Sequence, residues 1–181
     1  MNDNVKISMV AAMSDDRAIG RKNTIPWRAK GDLRFFKDQT FGKPVIMGRK
    51  TFESLKHAGV HPLPGRPNLV VTRDENYQFD HPDVTIHTNI KDALDLAYKL
   101  AAELNVDEIC IGGGAMIYAE TMDVADIIYL TEIHCTVGDG DTFFPEFSKD
   151  EWQETYRDLR KAEDGDTADY SFVTWKRKNS S

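Results

Sequence analysis

The segment 45-VIMGRKTFESL-55 carries the pattern that decides the fold. A short apolar run ends at Gly48, and a helical pattern begins directly afterwards at Arg49. Apolar runs and helical patterns also alternate along most of the remaining chain, as VKISMVAAM, GDLRFFKDQTF, PNLVVT, VTIHT, IKDALDLAYKLAAEL, EICIGGG, AMIYAETM and ADIIYLTEI. This alternation is typical of an α/β domain with a mainly parallel central sheet.

The end of the chain departs from this alternation. The segments WQETYRDLR and YSFVTWKRK are joined by the polar stretch 161–169, which predicts an antiparallel hairpin at one sheet edge. The clearest helical pattern, from Ile90 to Leu104, has one apolar and one charged face and predicts a scaffold helix. We therefore predict a single α/β domain over residues 1–181, with a central mixed, mainly parallel β-sheet flanked by helices and ending in an antiparallel edge hairpin.

Composition limits the classes of protein that fit. With 181 residues, 40% of them hydrophobic, the chain is long enough for one sizeable core. A formal charge of −7 argues against nucleic acid as a partner, since nucleic-acid binding needs a basic surface. There is no secretory leader pattern and no apolar run of about 18 residues, so we expect no membrane segment.

Cysteine and histidine spacing gives no sign of a metal site. Cys110 and Cys135 lie within apolar runs, and we interpret them as two buried thiols, which fits a reducing cytoplasm. His57 and His61 have the spacing of a zinc pair, but Gly59 interrupts it. We expect a loop there, no bound metal, and a monomeric chain.

Ligands of open α/β sheets bind where strands end and helices begin, and Gly48 marks one such junction. Arg49, Lys50 and Thr51 follow it at a helix start, where free backbone N–H groups attract anions. The alternative is a solvated basic helix start, although cations there oppose the helix dipole. We favour a phosphate-binding site.

A second junction has three successive glycines, Gly112, Gly113 and Gly114, between an apolar run and a helical pattern. Such a run indicates an unusual backbone conformation or a ligand lying against the main chain. The GxGxxG dinucleotide fingerprint is absent, because Ile117 occupies the position of its last glycine. From the residues alone, a tight turn fits the pattern as well as a binding site does.

Asp32 is the acid that stands out, since it begins the amphipathic helical pattern DLRFFK. One interpretation is an N-cap, a common role of aspartate, although no glutamate or glutamine follows three residues later to complete a capping box. The other interpretation is a functional carboxylate. Among Trp27, Leu33 and Phe36 the group would be partly desolvated, which raises its pKa and suits it to hold a proton near neutral pH.

Seven segments, taken together and in order, resemble the dihydrofolate reductase family. They are the stretch from Ala18 to Trp27, DLRFFK, KPVIMGRKTFESL, PLPGR, IGGG followed by Tyr118, YLTEI and GDTFFP. The resemblance implies an enzyme that reduces 7,8-dihydrofolate to 5,6,7,8-tetrahydrofolate with NADPH, by hydride transfer to C6 and protonation at N5. It also implies that antifolate inhibitors bind the chain.

The resemblance implies roles for individual residues. Asp32 would bind the 2-amino group and the adjacent ring nitrogen of the pterin, aided by the Thr131 hydroxyl. Trp27 would help to order a nearby water. Arg66 would bind the α-carboxylate of the substrate's glutamate tail, a role that suits a bidentate guanidinium. The apolar walls around the substrate rings would be Val10, Leu33, Phe36 and Leu55. Ordinary core packing is the alternative interpretation of these four residues.

The resemblance also implies a cofactor site. Arg49, Lys50 and Thr51 would meet phosphates, while Thr72 and Arg73 would complete a cationic site for the 2′-phosphate, which favours NADPH over NADH. The segment from Ala18 to Trp27 resembles the family's mobile active-site loop, and Asp141 resembles the residue whose loop hydrogen-bonds to it. The remaining implied cofactor contacts are Ala12, Ile19, Gly20, Asn23, Gly48, Gly112, Gly113, Gly114, Ala115 and Tyr118.

Two departures from the family pattern leave alternatives open. The family has a glycine pair joined by a cis peptide, and this pair is either Gly113 with Gly114 or Gly112 with Gly113 followed by one inserted residue. The loop from Lys56 to His61 is longer than the connection common in bacterial members. The competing functions are a riboflavin-pathway pyrimidine reductase and a non-catalytic NADPH-binding module.

Overall fold

Ten strands and four α-helices lie within residues 4–178, the part of the chain that the computed structural model describes. The strands are β1 (Lys6–Ser14), β2 (Ala18–Gly20), β3 (Val45–Gly48), β4 (Asn68–Val71), β5 (Val84–His87), β6 (Glu108–Gly113), β7 (Ile127–Ile133), β8 (Thr142–Phe143), β9 (Trp152–Arg160) and β10 (Tyr170–Arg177). The helices are α1 (Lys30–Thr40), α2 (Arg49–Ser54), α3 (Ile90–Glu103) and α4 (Ala115–Thr121). Short 3-10 turns cover Leu55–Ala58 and Met122–Val124.

Eight of the strands form one sheet in the order β5-β4-β3-β6-β1-β7-β10-β9. The first six are parallel to their neighbours, whereas β10 runs antiparallel to β7 and β9 runs antiparallel to β10. This arrangement confirms the predicted mixed, mainly parallel sheet with an antiparallel edge hairpin. The last two strands pair in this way because loop 161–169 is too short for the helical crossover that a parallel pair needs.

Alternate residues of the central strands point to opposite faces of the sheet. In β6, Ile109 and Ile111 belong to a buried cluster that includes residues of α3 and α4. Cys110 between them belongs to a second cluster, on the face that α1 and α2 cover. Since helices cover both faces, the central strands are apolar almost throughout, which is why the sequence shows continuous apolar runs there.

Helix α3 confirms the predicted scaffold helix. Asn89 is its N-cap and accepts a hydrogen bond from the Asp92 backbone N–H at 2.9 Å, so the helix begins at Ile90 as predicted. The last helical residue is Glu103, and Leu104, which the pattern had included, is the C-cap.

Two features differ from the sequence predictions. Strands β2 and β8 form a separate two-stranded sheet, and they are too short to show the period-two pattern of a strand. Cys110 is buried as predicted, but Cys135 is only half-buried because it lies beyond the end of β7, so the prediction of two buried thiols is wrong for Cys135.

Across residues 4–178, no helix combines the length and apolarity needed to cross a bilayer.

Candidate active site

The parallel sheet brings the predicted site residues to one of its edges. Ala12 in β1 lies opposite Thr131 in β7, and Met47 in β3 lies opposite Gly113 in β6. The carboxyl ends of these four strands therefore lie together, at the edge where open α/β sheets bind ligands.

Asp32 lies in the first turn of α1. Ala29 occupies the N-cap position, so the interpretation of Asp32 as an N-cap is wrong. Burial raises the pKa of Asp32 to about 6, and the Thr131 hydroxyl offsets part of this rise, which confirms the predicted direction. Burial and then the charge of Asp32 raise the pKa of Tyr118, which places the carboxylate near the glycine-rich end of β6.

Thr131 contributes a buried polar atom that lacks a partner. Its hydroxyl is near enough to Asp32 to favour the ionised carboxylate, yet it completes no hydrogen bond within residues 4–178. An unsatisfied buried hydroxyl costs about 1–3 kcal/mol, so a ligand that supplies a partner is favoured at this position. Trp27, the third predicted catalytic residue, is buried in a cluster with Ile133, Tyr170 and Phe172.

The four predicted wall residues differ in burial. Val10 is 2% exposed and belongs to the same apolar cluster as the partly buried Phe36 and Leu55. Leu33 is 62% exposed, so the core interpretation is wrong for this residue. The Leu33 side chain is therefore open to contact from outside the protein core.

Arg66 is a buried cation without a counter-ion in the described structure. It is 4% exposed, its Nη1 donates to Thr40 Oγ1 at 2.7 Å, and its Nε donates to the Pro64 carbonyl at 3.0 Å. No carboxylate among residues 4–178 pairs with it, and burial lowers its pKa. The guanidinium is therefore fixed in orientation while one terminal nitrogen remains free, an arrangement suited to an incoming carboxylate.

The glycine run places its cis peptide between Gly113 and Gly114. The first of the two alternative pairings therefore matches the structure. Gly113 has a φ of +99°, and a β-carbon there would lie 2.9 Å from the Tyr118 ring, so only glycine fits. Tyr118 is itself fixed, since its hydroxyl donates to the Val10 carbonyl at 2.7 Å. Gly112 lies earlier in β6, where its missing side chain allows close contact with β3.

The two predicted cofactor segments meet in the structure. Gly48 ends β3 and occupies the N-cap position of α2, and Ala115 begins α4 directly after the glycine run. A β-carbon on Gly114 would lie 3.1 Å from Thr51 Oγ1, so the backbone of one segment lies against the hydroxyl of the other. Together they form a surface lined by backbone at two helix starts, the kind of surface to which phosphates bind.

The predicted cations of this region are not equivalent. Arg49 Nη1 lies 2.9 Å from Asp74 Oδ2, and its Nε lies 3.8 Å from a second acid one turn along α2. Lys50 and Arg73 are exposed and form no ion pair within the described residues. Thr72 shapes the turn after β4, since its hydroxyl accepts the Asp74 backbone N–H at 3.1 Å.

The segment predicted to be the active-site loop carries β2. The Lys22 backbone N–H donates to Asp141 Oδ2 at 2.8 Å, which confirms the predicted contact between the Asp141 loop and this segment. An ion pair of Arg21 with Asp139 at 2.9 Å adds to it and was not predicted. Three predicted cofactor contacts lie on β2 or just after it: Ile19, Gly20 and Asn23.

The loop between β9 and β10 also contacts the segment that carries Trp27 and Asp32. The Arg28 backbone N–H donates to Thr167 Oγ1, and the Thr167 N–H donates to the Arg28 carbonyl, both at 2.8 Å. Asp166 accepts the backbone N–H of Lys30 at 2.9 Å. No local pattern indicates these contacts, because Lys30 and Asp166 are 136 residues apart in the chain.

The described residues fit a phosphate-bearing dinucleotide. Gly48 and Gly114 leave backbone partly exposed, Thr51 offers a hydroxyl, and Lys50 and Arg73 offer unpaired charge among the described residues. This donor set suits the phosphates of NADPH. Within residues 4–178 there is no group of three side chains placed to hold a metal ion.

Comparison with known proteins identifies the family of the chain. The family model described as dihydrofolate reductase matches residues 6–177. The chain is 41% identical to a dihydrofolate reductase type 3 of Salmonella typhimurium over 172 residues, covering 95% of this chain and 98% of the relative. It is 37% identical to the dihydrofolate reductase of Bacillus subtilis over 175 residues, covering 97% and 96% of the two chains.

A solved structure supports the same family assignment. The dihydrofolate reductase of Enterococcus faecalis, complexed with NADP(H) and RAB-propyl, has a TM-score of 0.80 and 28% identity, covering 96% of this chain and 97% of its own. None of these relatives favours the riboflavin-pathway reductase or the non-catalytic module. The sequence match over nearly the whole chain and the agreement in fold together show that the chain belongs to the dihydrofolate reductase family.

Proposed function

We propose that the chain is an oxidoreductase that reduces 7,8-dihydrofolate to 5,6,7,8-tetrahydrofolate with NADPH. The observation that carries the proposal is the half-buried carboxylate of Asp32, whose pKa is about 6, beside the unpartnered hydroxyl of Thr131. Family membership supports it. We further propose that residues 1–181 act as one domain, as a monomer in the cytoplasm, and that antifolate inhibitors occupy the substrate's place.

Asp32 binds and orients the pterin. Its carboxylate accepts hydrogen bonds from the 2-amino group and the adjacent ring nitrogen, and the Thr131 hydroxyl gains the partner that it lacks. Because its pKa is raised to about 6, the ionised Asp32 takes up a proton more readily near neutral pH than an ordinary aspartate does, and this eases protonation at N5. Trp27 helps to order the water close to the carboxyl group.

The rest of the substrate is bound by apolar contacts and one cation. Val10, Leu33, Phe36 and Leu55 contact the pteridine and aminobenzoyl rings. Arg66 binds the α-carboxylate of the glutamate tail, which supplies the anion that the buried guanidinium lacks.

NADPH, when bound, supplies the hydride that reaches C6 of the pterin. The chain binds and orients it through the α2 start at Arg49, Lys50 and Thr51, with Thr72 and Arg73 at the 2′-phosphate. The loop that carries β2 closes over the site and excludes water. The remaining contacts are Ala12, Ile19, Gly20, Asn23, Gly48, Gly112, Gly113, Gly114, Ala115 and Tyr118.

The Asp32→Asn variant tests the proposed role of the carboxylate. We expect the variant to fold and bind NADPH but to lose turnover by about 100-fold or more near pH 7, since it cannot hold a proton for N5. Activity should recover in part at low pH, where the substrate arrives already protonated. The measurement is the loss of NADPH absorbance with dihydrofolate across a pH series, with and without an antifolate.

Asp38→Asn is the matched control. Asp38 lies on the same helix and forms only a weak, exposed pair with Arg34 at 3.9 Å, so this variant should keep the wild-type rate. A near-wild-type rate of Asp32→Asn at about pH 7 would contradict the role of Asp32. A wild-type protein that does not oxidise NADPH with dihydrofolate would contradict the proposed function.

A further inference from the structure

The helix that carries Asp32 begins without a local cap. The first N–H groups of any α-helix lack intrahelical partners and need acceptors from elsewhere. The N-cap of α1 is Ala29, whose side chain cannot accept a hydrogen bond. Helix α3 differs, because its own N-cap, Asn89, accepts the Asp92 backbone N–H. The start of α1 therefore depends on another part of the chain.

The β9–β10 hairpin supplies a missing acceptor. Asp166 Oδ1 accepts the Lys30 backbone N–H at 2.9 Å. The hydroxyl of Tyr170, the first residue of β10, lies against the backbone of Gly31. A side chain on Gly31 would collide with this hydroxyl, so the helix start and the hairpin fit closely together. The Asp32 N–H donates to the Ala29 carbonyl at 3.1 Å, which satisfies the third amide of the turn.

The hairpin loop holds the Asp166 carboxylate in place. Its Oδ2 accepts the Glu163 backbone N–H at 2.9 Å, and the Asp166 N–H donates back to the Glu163 carbonyl at 2.9 Å. These backbone hydrogen bonds, first that of Lys30 and then that of Glu163, lower the pKa of Asp166. The group is therefore ionised near neutral pH, and a negative charge at a helix start is stabilising. Lys30 Nζ also donates to the Asp164 carbonyl, so a side chain of the helix start contacts the same loop.

We infer that Asp166 is a positioning residue for Asp32, because it caps the turn of α1 that carries the carboxylate. Lys30, whose N–H it accepts, is two residues before Asp32 in that turn. A shift of the helix start would move the Asp32 carboxylate relative to Thr131, the other group proposed to bind the pterin. The inference rests on the proposed function, since it assigns Asp166 an effect on the pterin but none on NADPH.

The test compares Asp166→Ala, Asp166→Asn and Asp164→Asn. Asp164 is exposed in the same loop, and its side chain makes no hydrogen bond or ion pair with any described residue, so Asp164→Asn removes one charge without removing the cap. For Asp166→Ala we expect the KM for dihydrofolate to rise about three- to tenfold with little change in the KM for NADPH. Asp166→Asn keeps one acceptor oxygen, so its KM for dihydrofolate should rise less than that of Asp166→Ala. The KM values of Asp164→Asn should match those of the wild type.

A second readout does not depend on activity. Amide hydrogen exchange at Gly31 and Asp32 should be faster in Asp166→Ala than in Asp164→Asn, because the first turn of α1 loses an acceptor. If Asp166→Ala does not fold, Asp166→Asn provides the same comparison with a smaller expected effect. Equal KM values and equal exchange in the Asp166 and Asp164 variants would overturn the inference. An inactive wild type with the expected exchange difference would instead count against the proposed function alone.

Discussion

The buried Arg66 side chain indicates an anionic ligand, because it has no counter-ion among the described residues. Its guanidinium is 4% exposed and is held by the Thr40 hydroxyl and the Pro64 carbonyl, with no acid beside it among residues 4–178. A buried charge without a counter-ion is costly. The cost is relieved when a substrate brings its own carboxylate, and this is why the same position suits binding of an anionic tail.

Arg66→Lys tests this assignment at the scale of the residue. An ammonium group cannot reproduce the two fixed donors and still present a third nitrogen to the ligand. We expect the KM for dihydrofolate to rise about tenfold or more with a nearly unchanged kcat, because hydrogen bonds to charged groups contribute about 1.5–3 kcal/mol. Steady-state kinetics with dihydrofolate measure the effect. A dihydropterin without the glutamate tail is the control substrate, and an equal loss with both substrates would contradict the assignment.

We expect the cofactor preference to depend on two junctions, that of β3 with α2 and that of β4 with its following loop. Each junction carries a cation, but Arg49 is already paired with Asp74 at 2.9 Å. Arg73, which the turn after β4 leaves exposed, has no such partner in the described chain. We therefore expect Arg73 to contribute more of the free energy that distinguishes NADPH from NADH.

Arg73→Ala should raise the KM for NADPH about 10- to 100-fold and leave the KM for NADH nearly unchanged, because NADH has no 2′-phosphate. Arg49→Ala should raise the KM for NADPH less, because one guanidinium nitrogen of Arg49 is already paired with Asp74. The measurements are KM values for both nucleotides with each variant. A similar change for NADPH and NADH in Arg73→Ala would place the 2′-phosphate elsewhere.

Folding of the whole molecule destabilises the ionised form of Asp32, because the carboxylate becomes buried. The unfolded chain ionises this group near its ordinary pKa of 3.8, whereas the folded pKa is about 6. Between these values the folded state binds a proton that the unfolded state does not bind, so the contribution of Asp32 to stability falls as the pH rises through this window. The substitution Asp32→Asn removes the titration. Relative to the wild type, the variant should gain up to about 3 kcal/mol in unfolding free energy between about pH 4 and about pH 8.

Urea unfolding of both proteins at these two pH values measures the difference. Asp38→Asn serves as the control, because Asp38 forms only an exposed pair and should change stability little at either pH. A difference between Asp32→Asn and the wild type that is the same at both pH values would show that the folded and unfolded pKa values of Asp32 are alike.

Local patterns were sufficient to predict most elements of the molecule. Asn89 marks the start of α3 because capping depends on residues within one turn, and apolar runs mark strands because both sheet faces are covered. Asp32 was selected as a candidate because it begins a helical pattern, and Arg66 because its PLPGR segment resembles the family. The β2–β8 pair was missed, since strands of three and two residues show no period.

The sequence by itself determined which segments become strands and helices and which residue types could serve a pterin and a dinucleotide, because these properties depend on neighbours along the chain. The sequence indicated the direction of the Asp32 pKa shift, but only the tertiary structure decided that the pKa rises to about 6, that Arg49 is paired while Arg73 is not, and that the hairpin loop caps α1. The extent of burial, ion pairing and capping of this kind depend on groups far apart in the chain, so no pattern within a segment records them.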